Sequence, residues 1–425
     1  MTKTIPQKDL DRLRELGKRL AEIAALPDQE RHKKIWTAVN DGNMIVPAVL
    51  TRDYPIYLLD IDGALSPTVE DDFLKTVEAD LLLKIYEWEH LRCHRVISPF
   101  VNCQADYTDS GMGVKIAAPG ADAINFVQSQ EISSARHYDR IISCEEDLGM
   151  IKTPEVIHNE KSTARRLEMM HEVFDGIIDV KLHGAEYFLF VPWDDLLSWM
   201  GIEEGMYDFV LNPDFMHMAV ERYVDAYISC VKQYEALGLL TSNNQNHFVG
   251  AGGYGYTSFL APPTESGIGA KLKDNWGLLA DQVLHSVSPE MCQEFAFIPE
   301  KRYADLFGRI YYGCCERLDQ KLEELKTFTN LRKVSMSPYA NIEEGMEKIG
   351  NNKNLVVSFK PNSNYLVTNP PQFDLLREEL IKVCGLARKY NCNVEILMKT
   401  LISLQGEPQR LWKWCDLAME IVDNY

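Results

Sequence analysis

The sequence predicts a parallel α/β fold of the (β/α)8 barrel type, preceded by a helical amino-terminal extension. Short apolar runs that stop at a polar residue or a glycine recur along the chain, and amphipathic helical patterns separate most of them. No tandem repeat, low-complexity tract or Gly/Ser linker divides the 425 residues, so residues 1–44 are expected to pack as an extension on one barrel spanning 45–425.

The elements follow in order. Leu10, Leu13, Leu16, Leu20 and Ile23 recur at three- and four-residue steps among charges, which predicts a helix ending before Pro27. A second helical piece surrounds Trp36. The apolar runs 45–49 and 56–63 predict the first buried strand, closed by Asp60, Asp62 and Gly63. Further strands are expected at 95–100, 140–144, 177–184, 246–250, 309–314, 333–337, 355–360 and 393–399, one more than eight requires. Helices are expected between them at 71–91, 163–174, 213–237, 288–307, 343–349, 374–389 and 408–422, several opened by Ser-Pro, Asn-Pro or Asp.

With 44 basic and 63 acidic residues the net charge is −19, which argues against a nucleic-acid partner or an anionic membrane. Single cations inside a cleft are still free to bind an acidic small molecule. The amino terminus lacks an apolar signal core and no run reaches the roughly 18 apolar residues of a membrane span. A cytoplasmic location is therefore expected, with the ten cysteines as reduced thiols.

Chemistry concentrates at 309–316, where an apolar run breaks into Gly313, Cys314, Cys315 and Glu316. Alternation along an extended strand sends Tyr312, Cys314 and Glu316 to one face and Tyr311 and Cys315 to the other, so only one cysteine is expected to enter a central site. The plain alternative is that cysteine is a small hydrophobe common in cores. Two other motifs read weakly. Asp60-Ile-Asp62 looks like the nucleophile strand of haloacid-dehalogenase phosphatases, but Ala64 stands where Thr or Val is expected and no later acidic pair is found. The run 250–255 satisfies GxGxxG, yet Thr257-Ser-Phe-Leu-Ala-Pro-Pro follows it in place of a helix, which leaves a flexible loop carrying Tyr254 and Tyr256 near the site.

Asp274-Asn-Trp276-Gly, Asp281-Gln282, Ser288-Pro-Glu-Met, Tyr312-Gly-Cys-Cys-Glu316, Ser337-Pro and Lys360-Pro-Asn together resemble the uroporphyrinogen decarboxylase superfamily, in its branch of corrinoid-dependent methyltransferases. The likeness continues more weakly over 30–250 through Trp36, Pro47 and Glu145 to Asp147. It implies a barrel with its active cleft at the carboxyl ends of the strands. It also implies methyl transfer from a small O- or N-methylated compound to the corrinoid of a partner protein, a demethylation of the donor. Three departures stand out. The decarboxylases carry an arginine-rich segment where this chain has Asp60-Ile-Asp-Gly-Ala, the related zinc methyltransferases carry a His where Tyr312 stands, and the branch often carries Asp where Thr400 stands.

Within that resemblance a poor alkoxide or phenoxide leaving group needs a Lewis acid or a proton donor. Zinc is expected on Cys314 and Glu316, with Glu395 or His183 as a third ligand. Glu316, Lys360, Tyr312 and Asp60 are the expected catalytic residues. Asp62, His183, Tyr254, Tyr256, Trp276 and Lys399 are expected to contact substrate. Two alternatives stay open, a decarboxylase acting on a tetrapyrrole or other carboxylated molecule and a non-catalytic corrinoid- or porphyrin-binding barrel. A homodimer is also left open.

Overall fold

The computed structural model describes residues 5–115, 138–350 and 352–425. Its chain opens with two helices, α1 (Gln7–Ala24) and α2 (Pro27–Asp41). Leu13, Leu16, Leu20 and Ile23 bury one stripe of α1, as their spacing predicts. Pro27 opens α2, a position where the missing N–H has no intrahelical partner to lose. Gly42 then ends α2 in the left-handed conformation (φ 84°), with the Lys353 carbonyl 2.2 Å from where a Cβ would stand. A third long helix, α3 (Asp72–His90), packs on α1 and is capped by Asp71, whose side chain accepts from the Phe73 and Leu74 N–H groups.

The strands are β1 (Ala48–Thr51), β2 (Phe100–Gln104), β3 (Tyr107–Asp109), β4 (Val156–His158), β5 (Asp179–His183), β6 (Leu189–Phe190), β7 (Trp276–Leu279), β8 (Arg309–Tyr312), β9 (Leu331–Met336), β10 (Val356–Phe359) and β11 (Asn393–Met398). Seven form one parallel sheet in the order β1-β11-β10-β9-β8-β7-β6. Past β1 the arc continues through the His94 N–H donating to the Val49 carbonyl (2.9 Å). Between residues 93–96 and β6 no named strand ladder runs among the described residues; instead Asn246 Nδ2 donates to Val96 O, and Asn243 Nδ2 donates to Glu186 O and Trp276 O. The architecture is mixed α/β and consistent with a barrel. β2 pairs with β5 in parallel and β3 with β4 antiparallel, each as a separate two-stranded sheet.

Four expected strands are corrected. Residues 95–99 are not in a strand, and β2 begins only at Phe100. Residues 56–63 form a 3-10 turn at Ile56–Leu58 and then a loop, so the first strand lies earlier, at β1. Its three-residue apolar pattern cannot distinguish the two. Residues 140–144 are not in a strand, and 246–250 belong to a buried loop. Two strands that sequence patterning passed over, β6 and β7, complete the arc.

The glycine-rich run 250–255 is not a flexible loop. It fills the bore of the sheet. Val249 and Ala251 pack with Trp276, Leu278 and Tyr311 in a cluster separate from the main core, and Arg52 Nη1 holds the carbonyls of Gly250 and Gly252 at 2.7 Å each. A Cβ on Gly253 would stand 2.2 Å from the Trp36 ring, and one on Gly255 would stand 2.0 Å from the Asn243 carbonyl. These close approaches, not phosphate binding, account for the glycines. Beneath them lies a fully buried ion pair, Lys333 Nζ to Glu395 Oε2 at 2.8 Å.

Candidate active site

Above the plug the strand ends open into a cleft. Residue alternation sends Glu395, Ser358, Lys333, Ser335 and Tyr311 inward, and the same period places Lys360 one repeat beyond Ser358 at the end of β10 and Lys399 two repeats beyond Glu395 at the end of β11. A cavity of about 660 Å³ is walled by Arg52, Asp53, Leu83, Phe248, Cys314, Cys315, Lys399 and Leu401. A lobe of about 220 Å³ reaches Lys360, and the two share Cys314, Cys315, Lys399, Thr400 and Ile402. Such volumes suit a small molecule.

Lys360 is buried among neutral partners. Its Nζ donates to Tyr311 Oη (2.6 Å), Ser335 Oγ (2.7 Å) and the Ser358 carbonyl (3.0 Å), and no carboxylate among the described residues touches it. Burial first, and then the charge of Lys399, pulls its pKa down to about 7. Lys399 has the opposite setting. Burial works against its charge, but Cys314 at 3.4 Å and Asp53 at 3.2 Å outweigh it and raise its pKa. Burial likewise opposes the Asp53 carboxylate, which Arg52 and Lys399 nonetheless hold below its usual range. Asp53 and Thr400 both adopt left-handed backbone (φ 54° and 58°) and are joined where Leu401 N–H donates to the Asp53 carbonyl. That conformation is costly for β-branched Thr400, and it stands at the mouth of the cleft.

Both cysteines enter the cleft, which corrects the alternation argument. β8 stops at Tyr312, and Gly313 turns the chain at φ 100°, so the two-residue period ends one position before the thiols. Ser335 Oγ donates to the Cys314 carbonyl, and Glu316 Oε2 accepts the Cys314 N–H at 2.7 Å. The Sγ atoms lie 3.6 Å apart. The hydrogen bond from Cys314 brings Cys315 down to about 6 against its burial, while Cys314 is pushed up, so one thiolate is held near neutral pH beside two lysines. Iodoacetamide at pH 7 should therefore alkylate Cys315 before the exposed Cys144, which sits beside Glu146 and Asp147. Peptide mapping from pH 5 to 8 should give a midpoint near 6. Faster labelling of Cys144 at pH 7 would refute the paired-thiol account.

Of the residues singled out from sequence, Cys314, Lys360 and Lys399 come together here. Glu316 holds the thiol turn from behind. The others do not join the cleft. Tyr312 points outward between the rings of Phe297 and Phe328. Asp60 and Asp62 satisfy their own turn, bonding to Leu65 N and Ser66 Oγ and to Ala64 N. Trp276 is buried in the bore with its Nε1 on the Gly255 carbonyl. Tyr256 lines a separate groove with Asp179 and Lys181. Glu395 is committed to Lys333, and Cys314, Glu316 and Glu395 are not a ligand set. Arg52, Asp53 and Tyr187 are the residues that sequence reasoning missed, and Cys315 the one it placed on the wrong face; Tyr187 donates to the Gly250 carbonyl and feels the charges of Arg52, Asp53 and Lys399.

Beside the cleft, sharing Leu83, Glu87 and Phe248 as walls, lies a cavity of about 280 Å³ that contains His183, Glu186, His247 and Tyr254. Among the described residues, the three ionisable groups His183, Glu186 and His247 are the set close enough to hold a metal, with ligand atoms within 4.8 Å of one another.

No protein-family model and no curated protein matches the sequence. A methyltransferase from Methanosarcina mazei is a structural neighbour. The two are 13% identical, the match covers 92% of this chain and 98% of that one, and the TM-score is 0.48. A likeness of this degree leaves function to the residues of the cleft. No helix among the described residues is long and apolar enough to cross a membrane.

Proposed function

We propose that the cleft catalyses methyl transfer from a small O- or N-methylated compound to an acceptor brought by a partner protein, the partner's corrinoid being the acceptor that the family resemblance implies. The observation that supports this best is Lys360, a buried amine among neutral partners with its pKa drawn to about 7, which suits a proton donor to a poor leaving group. As the methyl group departs, the electron pair of its bond stays on the donor's oxygen or nitrogen, and Lys360 Nζ supplies the proton that caps it. Lys399 and Arg52 offer charge to an anionic group of the donor. Leu83, Phe248, Leu401 and Ile402 offer an apolar wall to its body.

A reduced corrinoid supplies a strong nucleophile for methyl groups. The cavity of about 660 Å³ is sized for the donor, so the corrinoid would be presented at the rim, where Ile402 and Tyr339 are 53% and 66% exposed. No zinc on Cys314 is needed, and the residues around that thiol do not fit one.

Decarboxylation of a carboxylated substrate is a second reading, favoured by one observation. Arg52, Lys360 and Lys399 border the cleft, whereas Asp60 and Asp62, which stand in sequence where the decarboxylases carry arginines, do not. One experiment separates the readings. The protein is mixed with a reduced corrinoid carrier and a panel of methoxylated aromatics and methylamines, and the Co(I) absorbance is followed; uroporphyrinogen is supplied separately and carboxyl loss measured. Donor-dependent loss of Co(I) absorbance is expected. Carboxyl loss without methyl transfer would replace this reading with the second, and corrinoid binding without either reaction would leave a binding barrel.

A further inference from the structure

We propose that His183, Glu186 and His247 bind one divalent first-row transition-metal ion, zinc or iron(II), whose open coordination positions face the 280 Å³ cavity beside the cleft. The three residues come from two places in the chain. His183 is the last residue of β5, Glu186 follows three residues later, and His247 stands just before the glycine-rich plug. His183 Nε2 lies 3.0 Å from Glu186 Oε2, and the two imidazoles meet edge to face with centroids 5.1 Å apart.

A histidine-carboxylate pair alone would explain His183 and Glu186. It does not explain His247, nor the Nδ1 atoms of both histidines, which are buried and find no well-formed hydrogen bond among the described residues. Two orphaned imidazole nitrogens against one carboxylate are expensive unless something electropositive satisfies them. A tetrahedral ion with bonds near 2.0–2.1 Å spaces its ligands about 3.3 Å apart, so ligands already within 4.8 Å need only side-chain rotations to close on it. Two imidazoles exclude magnesium and calcium, which take oxygen ligands. Three protein ligands leave positions for water or a small oxygen anion, the arrangement of a catalytic rather than a structural site. The rigid frame is already present, because Asn243 Nδ2 fixes the Glu186 carbonyl and Asn246 next to His247 is tied to Ser98 and Val96.

The site is independent of the methyl-transfer reading, and its test uses binding, not turnover. Full-length protein purified without chelator is analysed for zinc, iron, manganese, cobalt and nickel, then stripped and titrated with Zn²⁺ and with Co²⁺, whose visible absorption reports imidazole ligation. One ion per chain is expected, and its identity distinguishes zinc from iron. The affinity should fall by roughly 100-fold or more in His247→Ala and in Glu186→Gln, a near-isosteric change that guards against simple unfolding. Cys314→Ser and Cys315→Ser should keep the ion. Added Zn²⁺ should raise the melting temperature of the stripped wild type and not of Glu186→Gln. Stripped protein that takes up no ion, binding that survives both His247→Ala and Glu186→Gln, or binding that depends on the cysteines would overturn the assignment. If the ion binds as described while no methyl donor is consumed, only the functional reading fails.

Discussion

Replacing Lys360 with methionine is expected to lower the rate of methyl transfer by about 10²- to 10⁴-fold, the usual worth of a general acid. Burial and Lys399 bring the Lys360 pKa to about 7, so its ammonium form, the proton donor, is lost as pH rises through that value. The wild-type rate should fall along the same limb, and the limb should vanish in Lys360→Met. Stability moves the other way. A lysine whose folded pKa lies below its unfolded value destabilises the native state most fully below about 7, and that penalty disappears as pH climbs toward the unfolded value. The variant should therefore melt no lower than wild type at pH 6, so a lost rate cannot be blamed on lost structure. Rates and melting curves at half-unit intervals from pH 5.5 to 9 test both signs. Unchanged turnover in the variant would remove Lys360 from the chemistry.

The largest effect on stability is expected from Glu395→Leu. Lys333 and Glu395 are both 0% exposed, and removing the carboxylate strands an ammonium in the bore, which costs about 3–5 kcal/mol. Its remaining neighbours are the Tyr254 carbonyl at 3.1 Å and the rings of Trp276 and Trp36, 5.3 and 5.8 Å away. Those contacts soften the loss without neutralising the charge. The double change Lys333→Met/Glu395→Leu removes both charges and should recover most of the stability. A residue of roughly 1–2 kcal/mol should remain, because the Gly253 N–H loses its acceptor, Glu395 Oε1. Urea midpoints at constant slope measure all three values. A single variant within 1 kcal/mol of wild type would show that the charge finds water.

The parts of the fold legible in the sequence are those where one face decides the pattern. α1 and α3 show as amphipathic stripes, and β9, β10 and β11 show as short, wholly buried runs closed by a lysine or serine. β7 was hidden because Trp276-Gly-Leu-Leu is four residues long with a glycine inside, and β6 because it has only two residues. At the site, Cys314, Lys360 and Lys399 were readable as polar residues at strand ends. Arg52 and Asp53 were not, because the later apolar run at 56–63 imitated the strand that ends at Thr51. Cys315 was misassigned since a left-handed Gly313 resets the alternation, which a period of two cannot foresee. His247 gave no signal at all: its sequence neighbours are Asn246 and Phe248, and Glu186 lies about sixty positions earlier.

The glycine-rich plug has a consequence for traffic. Val249 and Ala251 pack against Trp276 and Tyr311, with the Lys333 to Glu395 pair beneath, so the described residues of the plug close the inner end of the cleft. A small molecule in the cleft does not leave through that plug, and Ile402 and Tyr339 mark an exposed rim on the other side. A large acceptor docked over that rim would trap a small donor already inside and bar one still outside. Under the methyl transfer proposed above, the two reactants would have an order of arrival, donor before carrier, and the spent donor would depart after the carrier has lifted away.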